Sequence, residues 1–90
     1  MNEDNKKIII SFKKAKSSLE RIIDMTEKGR YCIDIMQQNL AIIGLLKSAH
    51  HQLLDRHLNT CFKNAMASKD ETVKKRMIKE ITQVNKIANK

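Results

Sequence analysis

At 90 residues the chain has room for one small domain, and 41% hydrophobic against 31% charged residues is too apolar for a disordered segment. Aromatics make up 3%, Trp and Pro are absent and Gly occurs twice, at Gly29 and Gly44, leaving too few turn formers for an all-β fold. The formal net charge of +8, spread as +2 over residues 1–29, +2 over 30–63 and +4 over 64–90, suits a polyanionic partner and includes no basic block that reads as a disordered tail.

Helices remain, and the periodicity predicts three. In the first, Ile8, Phe12, Ala15, Leu19, Ile22 and Thr26 follow a four-three spacing. Asn2 or Asp4 is the expected cap, Glu3 favours the positive end, and Lys28 followed by Gly29 closes the helix. The second runs from Tyr31 to Ala67 with no breaker except Gly44, a length of about 55 Å at ~1.5 Å per residue. Ser68-Lys69-Asp70-Glu71 then reads as a capping box for a third helix bearing Val73, Met77, Ile81 (or Glu80), Val84 and Ala88 on one stripe. The fold class is therefore all-α, a three-helix protomer in a single domain over residues 1–90 with a long central helix. With so few large core fillers, such a chain gains stability by sharing its core with another subunit.

No apolar run approaches the ~18 residues of a membrane span, and no stretch reads as a signal peptide. The expected location is cytoplasmic. There Cys32 and Cys61 stay reduced, which favours metal binding or redox sensing over a structural disulfide.

Both cysteines and His57 fall on the central helix. His57-x3-Cys61 sets two ligands at i and i+4, about one turn apart. Cys32 precedes His57 by 25 residues and Cys61 by 29. At about 100° per residue both intervals return to within roughly 20° of the same direction. All three side chains then share a face, yet Cys32 and His57 are separated by roughly 37 Å along a straight helix. An antiparallel second copy, related by a two-fold axis near residues 45 and 46, removes the difficulty. Cys32 of one copy then lies beside His57 and Cys61 of the other, and Gly44 sits where backbones approach. The symmetry makes two identical sites of two thiolates and one imidazole. Such a donor set suits Cu(I), with Zn(II) admissible if water or a fourth ligand joins. The competing reading treats free Cys as a small buried apolar group and His as a structural residue. His50 and His51 fall off this pair and read as surface or seam residues, while Met25, Met36, Met66 and Met77 match helical stripes and read as core.

At these positions the sequence resembles the CsoR/RcnR-type metal-sensitive transcriptional repressors, most closely their copper-sensing branch. The resemblance covers essentially the whole chain and is most specific from Tyr31-Cys32 to Gln37-Gln38 and from His57 to Phe62. It implies Cu(I) ligation by Cys32, His57 and Cys61, with Tyr31 and Glu80 as partners of the histidine. It also implies an antiparallel dimer that assembles into a dimer of dimers. That assembly would bind operator DNA without metal and release it on binding Cu(I). Zn(II) remains an admissible ion in vitro. Nickel and cobalt sensors carry His in place of the last Cys, persulfide sensors lack the histidine and formaldehyde sensors lack the third-position Cys, so this chain fits none of those branches.

DNA contact is expected from Lys13, Lys14, Lys16 and Arg21, with Lys47 and Arg56 as further candidates, through phosphates and groove shape. A run of charge on a solvated helix face is the plain alternative. The first helix departs from the family's Arg/Lys-Ile/Leu-x-Gly-Gln-type stretch, holding Lys14-Ala15-Lys16-Ser17-Ser18 instead. Ser11 and Ser48 stand where relatives commonly hold Arg. Two other functions compete. All-α chorismate mutases share this length but need inward Arg and Lys residues, which the apolar face of the central helix does not offer. A thiol-redox or copper-buffering member with weak or no DNA binding accommodates the serines.

Overall fold

The computed structural model describes residues 3–90. The protein is helical, with α1 at Glu3–Glu27, α2 at Cys32–His57, a π turn at Leu58–Phe62, α3 at Lys63–Ala67 and α4 at Glu71–Ala88. Its contacts divide it into two compact units, up to Leu54 and from Asp55 onward.

In the first unit, α1 begins at Glu3, which puts Asp4 inside the first turn and not at the cap. Its charge still meets the positive end of the helix dipole, and Glu3 pairs with Lys6 at 3.6 Å. Asn2, the other expected cap, lies outside the described residues. At the far end, Gly29 takes φ +64°, Arg30 N–H donates to Met25 C=O at 2.9 Å and Gly29 N–H to Thr26 C=O at 3.1 Å. This is a Schellman closure, which satisfies carbonyls the helix end would leave bare. Two residues later α2 starts, with the Tyr31 carbonyl accepting from Asp34 and Ile35 N–H at 3.1 and 3.3 Å.

The chain reversal brings Ser11 to Gln52, and the buried residues of this hairpin are Ile8 and Ala15 on α1 with Ile42 and Ala49 on α2. Two of these four are alanines, so the seam is narrow. It is narrower than the spacing predicts: Phe12 and Leu19 of the α1 stripe are exposed. The apolar face of α2 is likewise uncovered, with Met36 55% and Leu40 66% exposed and Ile43 also open to solvent.

In the second unit the helix does not continue as α to Ala67, as expected from the sequence. Between His57 and Lys63 it widens into the π turn, where Lys63 N–H reaches back to Leu58 C=O. The Thr60 hydroxyl donates to the Arg56 carbonyl at 2.6 Å. The same back-bond from Thr82 lies within regular α4, so it accompanies this turn and does not by itself produce it. Ser68, at ψ 162°, ends α3 and donates its hydroxyl to Ala65 C=O at 2.8 Å. Asp70 is the cap of α4, its carboxylate accepting from Thr72 and Val73 N–H at 2.9 and 3.4 Å. On α4 the residues Val73, Met77 and Ile81 are half-buried, whereas Val84 and Ala88 are exposed.

Candidate metal centre and nucleic-acid interface

Each sulfur and imidazole named from the sequence sits at a turn of helix that leaves it accessible. Cys32 is the first residue of α2, and both Cys32 and Cys61 are free, exposed thiols. His57 is the last residue of α2 and is half-buried. Cys61 lies inside the π turn, with the Thr60 hydroxyl oxygen 3.8 Å from its sulfur. An i→i+5 turn takes in more residues than an α turn, so the offset between His57 and Cys61 is set by that turn. The α-helical step of about 100° per residue, used above for Cys61, does not apply across it. Among the described residues, no group of three or more His, Cys, Asp or Glu side chains gathers within one chain to hold a metal.

The expected partners of the histidine both lie on the surface. Tyr31 is 69% exposed and caps α2 through its carbonyl. Glu80 is exposed and paired with Arg76 Nε at 3.9 Å, an i,i+4 contact along α4. His50 and His51 meet edge to face with ring centroids 6.0 Å apart, and of the four methionines read as core, Met36 is exposed.

The basic candidates separate into two groups. Lys13, Lys14 and Arg21 line one groove of about 540 Å³ with Ile10, Ser17, Ser18 and Leu45. Lys16 and Lys47 are exposed and Arg56 is half-buried, none of them on that groove. The spacing 13, 14, 17, 18, 21 is a one-three alternation, which repeats on one side of a helix for two turns. That pattern is legible in the sequence, where Ser17 and Ser18 alternate with the cations. No helix of the described residues is long and apolar enough to cross a membrane.

A family profile described as "metal-sensitive transcriptional repressor" matches residues 4–88. A copper-sensing transcriptional repressor CsoR of Mycobacterium ulcerans is 41% identical over 54 residues, covering 60% of this chain and 46% of that protein. The CsoR of Bacillus subtilis is 29% identical over 69 residues, covering 77% of this chain and 68% of that one. The chain thus spans less than half the length of the mycobacterial relative it matches. Among solved structures, the Cu(I)-bound CsoR of Geobacillus thermodenitrificans superposes with a TM-score of 0.87 at 31% identity, over 100% of this chain and 91% of that one. The relatives are named as repressors and not as enzymes. With the profile running through both units and the fold shared over its full length, the chain belongs to the metal-sensitive transcriptional repressor family.

Proposed function

We propose that this protein is a Cu(I)-responsive transcriptional repressor that binds operator DNA without metal and leaves it when Cu(I) binds. The observation that carries the reading is the full-length likeness to a Cu(I)-bound repressor in a chain whose two thiols are both free and exposed. Two soft sulfurs and one nitrogen form a donor set that selects Cu(I); a structural Zn(II) site needs a fourth ligand. Cys32 of one protomer with His57 and Cys61 of a second copy would hold the ion, and Tyr31 and Glu80 would orient the imidazole.

Association supports that arrangement. Met36, Leu40 and Ile43 stand open on one face of α2, and burying such side chains is worth about 1.5–3 kcal/mol each. An antiparallel homodimer covers that face, and pairing of dimers gives a homotetramer. DNA contact falls to Lys13, Lys14, Lys16 and Arg21, with Lys47 and Arg56 further along. A repressor with reduced thiols works in the cytoplasm.

The test is anaerobic Cu(I) titration of the reduced protein while its binding to promoter DNA is followed. One Cu(I) per protomer with release of DNA is expected. Tight Cu(I) binding with no DNA affinity in the apo protein would assign the chain to copper buffering or thiol-redox chemistry instead.

A further inference from the structure

The groove on α1 combines three features. Its cations are uncompensated: Lys6, Lys28, Lys74 and Arg76 each pair with a carboxylate, whereas Lys13, Lys14 and Arg21 have no ion pair. Its hydroxyls are unspent. Thr26, Thr60 and Thr82 donate to their i−4 carbonyls at 2.6–2.8 Å and Ser11 to Gln52, but no hydrogen bond takes the hydroxyl of Ser17 or Ser18. Finally, Ile10 and Leu45 give it apolar walls and no Asp or Glu lines it. Glu20 falls between Ser18 and Arg21 in sequence but outside the lining, and Asp24, beyond Arg21, is already paired with Lys28 at 3.0 Å.

From these we infer that the groove is a phosphodiester cleft for the DNA backbone. Ser17 and Ser18 hydroxyls donate to phosphate oxygens held between Lys13 and Lys14 at one end and Arg21 at the other. This rests on the DNA-binding reading above and deepens it. From Lys13 to Arg21 the helix rises about 12 Å at ~1.5 Å per residue. One DNA strand advances about 3.4 Å of axis per phosphate and winds round that axis as it goes, so neighbouring phosphates lie farther apart than this and the groove spans about two. Cations supply attraction by counterion release; neutral hydroxyls add directed hydrogen bonds that fix register. The serines therefore stand as a replacement donor set, not as a loss of the interface.

Those two contributions have different signatures in salt. The experiment measures anisotropy of labelled promoter DNA with the full-length apo protein, reduced, from low to moderate salt. A Ser17→Ala/Ser18→Ala variant should bind roughly a hundredfold more weakly at every salt, about tenfold for each hydrogen bond to a charged group, with the slope of log K against log salt unchanged. Arg21→Gln should lower that slope by about 1. Alanine is the better helix former, so the serine variant keeps its helix, which circular dichroism checks. Wild-type affinity in the serine variant overturns the cleft while leaving DNA binding intact. Absence of DNA binding by the wild-type protein overturns both readings. In a third arm, sodium phosphate replaces chloride at equal ionic strength. Equal displacement is expected, and much stronger displacement by millimolar phosphate would assign the groove to a free phosphate and overturn the backbone assignment.

Discussion

The Ser11 hydroxyl donates to Oε1 of Gln52 at 3.4 Å, joining α1 to α2 across 41 positions of sequence. The bond is long and part-buried, and it spans a seam whose buried members include Ala15 and Ala49. Ser11→Ala should therefore cost no more than about 1 kcal/mol, the ordinary net worth of a neutral hydrogen bond. Urea unfolding at fixed protein concentration measures it. A loss well beyond that would mean the hydroxyl orders more of the hairpin than this one bond.

Gly29 is the residue whose backbone demands its identity. It takes φ +64° in open space, so an added Cβ meets no neighbour and the whole cost is conformational. Gly29→Ala should destabilise by about 1–2 kcal/mol, the penalty of the left-handed region for a residue with a side chain. Gly29→Asn should recover part of it, since Asn tolerates that region better. Thermal or urea midpoints of the two variants give the comparison.

Gly44 makes the opposite case. A Cβ there meets nothing within 4 Å in the single chain, so for an isolated protomer a larger residue only improves helix propensity, by about 1 kcal/mol for Ala. If two α2 helices cross at this point, Gly44→Leu overpacks the crossing and costs about 1–3 kcal/mol of association. Sedimentation of the variant decides between the two. Weakened dimers are expected, and undiminished association would move the crossing away from Gly44.

Asp70 holds the start of α4 through two backbone N–H groups. Asp70→Ala should cost about 0.5–2 kcal/mol, with Asp70→Asn or Asp70→Ser close to wild type. Amide exchange at Thr72 and Val73 should speed up in the alanine variant alone. Faster exchange confined to α1 would contradict the assignment.

His57 carries the expected coupling between metal and DNA. If Cu(I) favours the DNA-free form, DNA must weaken Cu(I) by the same factor, and a coupling of about 1–3 kcal/mol is typical. Glu80 is paired with Arg76 on its own helix, so recruiting it to the imidazole means giving up an exposed ion pair worth at most about 1 kcal/mol. His57→Ala should keep some Cu(I) affinity through two thiolates and lose much of the DNA response, whereas Cys32→Ala should lose both. DNA anisotropy with and without Cu(I), under anaerobic reducing conditions, reads this directly. Full copper-induced release by His57→Ala would exclude the relay.

Much of this fold is legible in the chain because its signals are local. The absence of Pro, the stop at Lys28-Gly29 and the start near Asp70 place three helical stretches to within a few residues, since helix ends depend on nearby backbone groups. The π turn escapes the same reading. Leu58–Phe62 contains neither Gly nor Pro, and the Thr60 back-bond within it is matched by Thr82 in unbroken helix, so no local residue type marks the turn. The sulfur and nitrogen donors are legible as residue types, but their relative direction near Cys61 depends on that same turn.

By itself, then, the sequence determined the all-α class, the helix stop at Lys28-Gly29 and the restart near Asp70. These follow from periodicity and capping chemistry; Cys32, His57 and Cys61 it offers only as candidate donors. The tertiary structure decided which apolar residues are spent inside the protomer. Phe12 and Leu19 stay exposed while Ala15 and Ala49 fill the seam. It also decided which basic residues act together, gathering Lys13, Lys14 and Arg21 around two free hydroxyls while Lys16 lies apart. The reason is geometric: a stripe states only which face a side chain occupies, whereas burial and grouping depend on how closely the next helix approaches that face.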